Sequence, residues 1–320
     1  MNLVIFKASL ALLVIYSHIS PYSGTTIDNM FSRFGGYVAV NIFFFISAYF
    51  LTLKYSSDIN ITTEVVSRLK RLIPAGIIAS ILVGLWLLIN TDISLINLIS
   101  ITFKNGVYAF GIEYHYICAF SCEPDGEKLN SSLWSMPFEL FFTLALIPFI
   151  HFGFRQKNFL NLVLFLFFML IAATIFIDFA SFTEETVLLR ALRVAFWFFF
   201  GVVIATVSSS HTPIQPILIG LVIFLLLVGA FFINIMWLCV VIFTAAVFKP
   251  KSIKIVQKLM TKNRPQLDPT YGAYLIGFPV QQLLYWQFGI TDIASLFFLT
   301  SVVSITYGLF SNRYLETFRS

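Results

Sequence analysis

The sequence predicts an all-α protein, a single polytopic bundle of about ten membrane-spanning helices with both termini in the cytoplasm. First, 59% of its 320 residues are hydrophobic and only 11% are charged, well below the roughly one quarter typical of soluble domains. Second, the apolar residues form runs close to twenty residues long, the length of a helix that crosses a bilayer. Third, the runs are continuously apolar, whereas strands of a membrane barrel alternate in hydrophobicity.

Ten such runs occur along the chain. The predicted spans are 3–20, 36–54, 72–90, 133–151, 159–178, 187–208, 214–229, 232–248, 271–288 and 292–312. Lys7 interrupts the first apolar run, and no small-residue cleavage site follows it, so we interpret this run as a retained helix and not a signal peptide.

The distribution of basic residues predicts the orientation. With a cytoplasmic N-terminus, fifteen of the twenty basic residues lie inside: Lys7, Lys54, Arg68, Lys70, Arg71, Arg155, Lys157, Lys249, Lys251, Lys254, Lys258, Lys262, Arg264, Arg313 and Arg319. Five lie on or near the outside: Arg33, Lys104, Lys128, Arg190 and Arg193. Because cytoplasmic loops carry an excess of Lys and Arg, this orientation is favoured. The net charge of +5 therefore indicates topology and contact with anionic lipid, not nucleic-acid binding.

The longest break between spans, 91–132, is predicted to be an exported loop. Its first part, "ISLINLISITF", is apolar but too short to span, which favours an interfacial or re-entrant helix. Cys118 and Cys122 follow; outside the cytoplasm they are either a disulfide or two free thiols. A metal site with His115 lacks a fourth ligand, so no metal is predicted. No other stretch is long enough for a fused soluble domain, so residues 1–320 are expected to form one membrane domain.

Ionisable residues inside spans are costly, so each is a candidate functional residue. Lys7 and His18 are eleven residues apart, which leaves them about 20° apart around a helix and about 16 Å apart along its axis. They are predicted to share one face of the first helix. On that face, Lys7 can hold an anion near the cytoplasm, and His18 can take a proton from a hydroxyl. Alternatively, Lys7 extends to the interface and His18 hydrogen-bonds a neighbouring helix.

Glu139 lies in the fourth predicted span, within "SLWSMPFELFF". An unpaired carboxylate there would cost several kcal/mol or be protonated. We expect His18 to be its partner, because a carboxylate orients an imidazole and stabilises its charged form. Pairing with Arg190 or Arg193 is the structural alternative.

Polar side chains recur along the ninth predicted span. Tyr271, Tyr274, Phe278 and Gln282 are spaced by three, four and four residues, so they form one stripe of a helix. The stripe fits either a substrate-lined cavity or an ordinary helix–helix contact joined by polar groups.

Two arginines precede the third predicted span. Arg68 and Arg71 are three residues apart, on one helix face, where two guanidinium groups can bind phosphate in a bidentate manner. Contact with lipid headgroups is the competing explanation.

Taken together, these segments resemble acyltransferase family 3, polytopic membrane enzymes that O-acylate surface polysaccharides. Lys7 and His18 match its basic-x10-His motif, and "RLKRLIP" matches its RxxR element. "NIFFFISAYFLTL" resembles its FFxxSGFLL stretch, with Ser47 at the serine. "SLWSMPFELFF" resembles LWSLxxExxFY, which places Glu139 at the family's glutamate. "DPTYGAYLIGFPVQQ" resembles SYGxYLxxFPxQQ, and the tail "SNRYLETFR" resembles the family's C-terminal segment.

Three positions depart from these motifs. Ala48 stands where glycine is usual after the serine, and Asn41 replaces a commonly acidic residue. Thr317 occupies a position where proline is usual. None of these changes affects His18 or Glu139.

The resemblance implies a bacterial inner-membrane enzyme that takes an acyl group, usually acetyl, from cytoplasmic acyl-CoA. The acceptor would be a hydroxyl of a cell-surface polysaccharide, such as O-antigen, or of its lipid-linked precursor. It further implies that Lys7, Arg68 and Arg71 bind the donor and that His18 and Glu139 are catalytic. Ser47, with the polar stripe of the ninth span, would contact substrate; no permanently bound cofactor is implied. A transporter or polysaccharide flippase is the alternative class, but no symmetry between chain halves supports it.

Overall fold

The structure, a computed structural model, is predominantly helical where it is described. The described residues are 3–19, 26–54, 60–108, 116, 118–123, 126–153, six residues between 162 and 170, 187–209 and 268–316. Within these ranges there are helices, turns and short connections but no strand, so the all-α prediction is confirmed there.

Eight α-helices are named here in chain order. They are α1 (Leu3–Ile19), α2 (Thr26–Lys54), α3 (Ile61–Asn90), α4 (Leu95–Gly106), α5 (Met136–Gly153), α6 (Val187–Ser209), α7 (Thr270–Gln282) and α8 (Ile293–Tyr314). A 3₁₀ turn, Ser131–Ser135, leads into α5, and a π turn, Leu283–Gln287, continues α7. The short α4 is the helix expected within the 91–132 loop.

Five helical stretches of the described chain are long and apolar enough to cross a membrane. They are Gly35–Lys54, Ile61–Asn90, Ser131–Gly153, Leu188–Thr206 and Ile293–Tyr314. Each overlaps one predicted span, and the shorter apolar helix α1 overlaps another. Helix α7 and its π turn overlap the ninth predicted span, 271–288, but are not among the five stretches. The predicted spans 214–229 and 232–248 lie outside the described residues, as does most of 159–178. The total of ten spans and the orientation of the termini stay predictions.

Side-chain caps define where several helices begin. Asn60 accepts a hydrogen bond from the Thr63 N–H at the start of α3, and Ser94 does the same for Asn97 at the start of α4. Asp292 caps α8 by accepting from the Ser295 N–H. Each cap satisfies a backbone donor that has no partner within the helix.

The chain forms two compact units. Unit 1 comprises Met1–Phe43, Ile59–Phe149 and Gln266–Ser320; unit 2 comprises Phe44–Asp58 and Ile150–Pro265. Most of the predicted site residues belong to unit 1, and Ser47 belongs to unit 2.

Helix α7 lies at the centre of unit 1 and packs against α8, α1 and α3. It runs antiparallel to α8 at very close range. A methyl group added at Gly272 would come within 2.7 Å of the Gly308 Cα, and one at Gly277 would meet Ile15 of α1 at 2.9 Å. Small residues therefore allow these helices to approach backbone to backbone, as is common in membrane proteins.

In unit 2 an aromatic cluster joins the end of α2 to α6. Phe45 stacks on Tyr49 and packs against Phe200, and Gly201 lies where a side chain would collide with the Phe45 carbonyl. Ser47 is half-buried on the same helical segment.

Candidate active site

The α1 residues Lys7 and His18 both face α7. The Lys7 ammonium donates to the carboxylate of Asp268, just before α7 begins. The His18 ring packs edge-on against Phe278, with centroids 5.0 Å apart, and the Gln281 side-chain amide donates to the His18 carbonyl at 2.7 Å. The two residues thus share one helix face, as predicted. Lys7, near the start of α1, contacts the residue just before α7, and His18, near the end of α1, contacts the second half of α7. The two helices therefore run in the same direction.

The described part of the 91–132 loop folds back along α7. Cys118 and Cys122 are joined by a disulfide. Between them, the Ala119 carbonyl accepts from the Trp86 indole at 3.1 Å. Further on, the Asn130 amide donates to the carbonyl of Leu275, midway along α7, at 2.8 Å. The helical segment containing α5 therefore starts opposite the middle of α7.

This chain path places Glu139 away from His18. Neither side chain hydrogen-bonds or ion-pairs with the other, and the positive charge acting on His18 is that of Lys128. The charges acting on Glu139 are instead those of Arg71, Arg68 and Lys7, in that order. The expected His18–Glu139 contact is not formed. Glu139 lies in the first turn of α5, where the charges that act on it are those of Arg71, Arg68 and Lys7.

We call the region around Lys7, Arg68, Arg71 and Glu139 the basic end of unit 1. Its three cations are each paired with a carboxylate. Lys7 pairs with Asp268, the Arg68 Nε lies 3.8 Å from Glu64, and the Arg71 Nε lies 3.9 Å from Glu316. Among the described residues, Glu139 itself has no hydrogen-bond or ion-pair partner.

Two of these carboxylates are held by further hydrogen bonds. Glu316 accepts from the Ser311 hydroxyl at 2.9 Å and from the Asn312 amide at 3.2 Å. Asp268 accepts from the Thr270 N–H at 3.2 Å, and its own N–H donates to the Asn312 side-chain oxygen at 3.1 Å. Asn312 thus connects the partner of Lys7 to the partner of Arg71.

The two carboxyl groups differ in their pKa. Burial acts to raise the pKa of Asp268, but Lys7, the Thr270 hydrogen bond and Arg71 together hold it below its ordinary value. Burial raises the pKa of Glu316 above its ordinary value, although Arg71 and the hydrogen bonds from Ser311 and Asn312 oppose the shift. Glu316 therefore takes up a proton at higher pH than Asp268 does.

The first tyrosine of the α7 stripe joins three elements. The Tyr271 hydroxyl donates to the Leu72 carbonyl at 3.0 Å and lies 2.5 Å from the Tyr108 hydroxyl. Tyr108 also reaches the Leu72 carbonyl, at 3.3 Å. These bonds fix α7 against α3 one residue beyond Arg71.

The second tyrosine joins α7 to the start of the α5 segment. The Tyr274 hydroxyl donates to the Ser132 carbonyl at 2.6 Å and lies 2.8 Å from the Ser135 hydroxyl. Both tyrosines are buried, as is Gln282. The sequence allowed two interpretations of this stripe, a substrate-lined cavity or a helix–helix contact. The described hydrogen bonds of the two tyrosines are those of a helix–helix contact.

Four residues of this region were not singled out from the sequence: Asp268, Asn312, Glu316 and Lys128. The signal for three of them was present, since Asp268 lies in the segment matching the ninth-span motif and the other two lie in the C-terminal motif. Their pairing with Lys7 and Arg71 is not visible in any local pattern. Among the described residues, no group of three or more His, Cys, Asp or Glu side chains is arranged for a metal ion.

The fold and this site define a helical membrane protein with a half-buried histidine at one level of α7 and an ion-paired basic cluster at another. A family model described as an acyltransferase domain matches residues 3–313. The chain belongs to acyltransferase family 3 and is a membrane acyltransferase. Comparison with curated proteins and with solved structures gives no match.

Proposed function

We propose that this protein is an O-acyltransferase of the bacterial inner membrane. It takes an acyl group, acetyl by default, from cytoplasmic acyl-CoA. It transfers the group to a hydroxyl of a cell-surface polysaccharide, such as O-antigen, or of its lipid-linked precursor at the outer face. Membership of acyltransferase family 3 supports the acyl transfer and disfavours the alternative of a transporter or flippase.

One observation carries the proposal: Lys7 and His18 lie on the same face of α1, against the same helix α7. Their separation along the helix, about 16 Å, is comparable to the pantetheine arm of CoA. A donor whose phosphates lie at the basic end therefore has the length to present its thioester near His18. Arg71 and Arg68 then contribute guanidinium donors suited to phosphate.

The proposed reaction is direct transfer. The acceptor hydroxyl oxygen attacks the thioester carbonyl while His18 accepts the hydroxyl proton. The carbon–sulfur bond breaks, the acyl group stays on the sugar oxygen, and the CoA thiolate leaves and takes up the proton. Glu139, on which the charges of Arg71, Arg68 and Lys7 act, has its role on the donor side of this scheme.

A covalent variant of the mechanism passes the acyl group through His18 or Ser47 before the sugar receives it. The two routes differ in one intermediate, an acyl-enzyme that forms only in the covalent route. A covalent route yields acyl-enzyme when acyl-CoA is supplied without acceptor, and mass spectrometry of the intact protein detects the added acyl mass.

The test is acyl transfer by purified protein, in which loss of acyl-CoA and acylation of the polysaccharide are both followed. His18→Ala should abolish acylation, whereas His151→Ala, which removes the half-buried histidine at the end of α5, should not. Unchanged acylation in His18→Ala would refute both His18-dependent routes. Arg71→Ala should weaken acyl-CoA binding, with the adjacent exposed Lys70→Ala as its control.

A further inference from the structure

The contact between Arg71 and Glu316 is asymmetric. Glu316 approaches the Nε of Arg71, and its side chain is 3% exposed, whereas that of Arg71 is 39% exposed. The carboxylate therefore lies on the buried side of the guanidinium, and the two terminal Nη groups are not engaged by it. A guanidinium held in this way keeps donors for a phosphate oxygen.

In the contact between Lys7 and Asp268, too, a carboxylate that is itself held in place binds only part of the cation. Asp268 accepts from Lys7 on one side, and the Thr270 N–H and the Asn312 side chain fix it on the other. An ammonium group has three donors, so Lys7 retains donors beyond the one given to Asp268. Each cation is thus oriented by a carboxylate that is itself held in place.

Asn312 links the Lys7–Asp268 pair to the Arg71–Glu316 pair. Its oxygen accepts from the Asp268 N–H, and its amide donates to Glu316. Lys7 on α1 and Arg71 on α3 are therefore positioned by one short segment at the end of α8 and by the residue that precedes α7. A long flexible side chain loses rotamer freedom when it binds, and prior orientation reduces that loss at the moment of binding.

We propose that Asp268, Asn312 and Glu316 form a positioning bracket that holds Lys7 and Arg71 in register for the phosphates of a nucleotide-bearing acyl donor. The inference rests on the proposed function and extends it to three residues that do not contact the donor themselves. The bracket acts on donor affinity through the two cations and leaves the chemistry at His18 unchanged.

The experiment compares two donors, acyl-CoA and an acyl-pantetheine that lacks the nucleotide and its phosphates. Glu316→Gln, Asp268→Asn and Asn312→Ala are assayed for KM and kcat with each donor. We expect KM for acyl-CoA to rise roughly fivefold to tenfold in each, the loss corresponding to one partly exposed ion pair, with kcat within about twofold. With acyl-pantetheine, all three should match the unmodified protein.

Two further variants complete the design. Asp292→Asn, in which the capping oxygen at the exposed start of α8 is retained, should leave KM unchanged for both donors. Arg71→Ala should raise KM for acyl-CoA only. Equal losses with both donors in the three bracket variants would show a general structural role and overturn the inference.

The outcomes separate the two proposals. If Arg71→Ala raises KM for acyl-CoA only, and the three bracket variants do not, the proposed role of the bracket is refuted and the phosphate-binding role of Arg71 stands. If Arg71→Ala also changes KM equally for both donors, or for neither, phosphate binding at the basic end is refuted, and the role of the bracket is refuted with it.

Discussion

The side-chain amide of Asn130 donates to the carbonyl of Leu275, in the middle of α7. This buried bond joins the end of the 91–132 loop to the central helix of unit 1. The same side chain caps the following turn by accepting from the Ser132 N–H. The bond therefore sets the level at which the helix carrying Glu139 starts.

Asn130→Ala should destabilise the protein and misplace Glu139. It leaves a buried carbonyl with one bond fewer and removes a cap, so we expect a loss of about 1–3 kcal/mol in the free energy of unfolding. Denaturant or thermal unfolding measures it. The control is Asn90→Ala, because exposed Asn90 bonds only to its own helix at the Trp86 carbonyl. Equal stability of the two variants would contradict the importance of the Leu275 bond.

Glu139→Gln should change the binding of acyl-CoA but not the titration of His18, the proposed catalytic base. Glu139 experiences the charges of Arg71, Arg68 and Lys7, so removing its charge alters the basic end. We expect a changed KM for acyl-CoA and an unaltered pH dependence of kcat. Kinetics across the pH range test this, with the exposed Glu123→Gln as control. A shifted kcat profile in Glu139→Gln would show that Glu139 acts on His18 after all.

Acidification should release Arg71 before it releases Lys7. The pKa of Glu316 is raised, so it protonates above its ordinary range, whereas the pKa of Asp268 is lowered and it stays ionised. KM for acyl-CoA should therefore rise as the pH falls towards that of Glu316 protonation. In Glu316→Gln the KM should already be high and should lack this rise. An identical pH dependence in both proteins would refute the assignment.

The lowered pKa of Asp268 also predicts how stability depends on pH. A carboxyl group with a folded-state pKa below its unfolded value stabilises the protein above the unfolded value, near 3.8, and loses that contribution as the pH falls through the folded value. Asp268→Asn removes the contribution. The difference in unfolding free energy between the two proteins should therefore be constant near neutrality and shrink in strong acid.

Opening the Cys118–Cys122 disulfide should loosen the 91–132 loop. The bond closes a five-residue loop whose inner carbonyls receive the Trp86 indole and the Gln287 amide. For a loop this short, chain entropy gives a loss of about 2 kcal/mol when the bond is removed. Unfolding of Cys118→Ala/Cys122→Ala measures it, and Cys239→Ala, which changes the third cysteine of the sequence, is the control. Reductant should destabilise the Cys239→Ala protein but leave the double variant unaffected.

Part of the site was predictable because its signals are local. The eleven-residue spacing of Lys7 and His18 determines their common helix face through helix geometry alone. In the structure, His18 contacts α7 and Lys7 contacts Asp268, just before α7 begins. The i, i+3 spacing of Arg68 and Arg71 is equally local. The partners of these cations were not predictable, since Asp268 is 261 residues from Lys7 in the chain.

The amino-acid sequence by itself determined that this is a helical membrane protein. It placed most edges of the described spans closely, although the stretch predicted to begin at residue 72 begins at Ile61. Length and hydrophobicity of a segment decide whether it can cross a bilayer, and these are properties of the segment alone. Tertiary structure decided which charges act on each other. Asp268 and Glu316 pair with Lys7 and Arg71, the charges of the basic end act on Glu139, and that of Lys128 acts on His18. Those neighbours depend on how far the 91–132 loop extends along α7 and on the register between helices, which many distant contacts determine together.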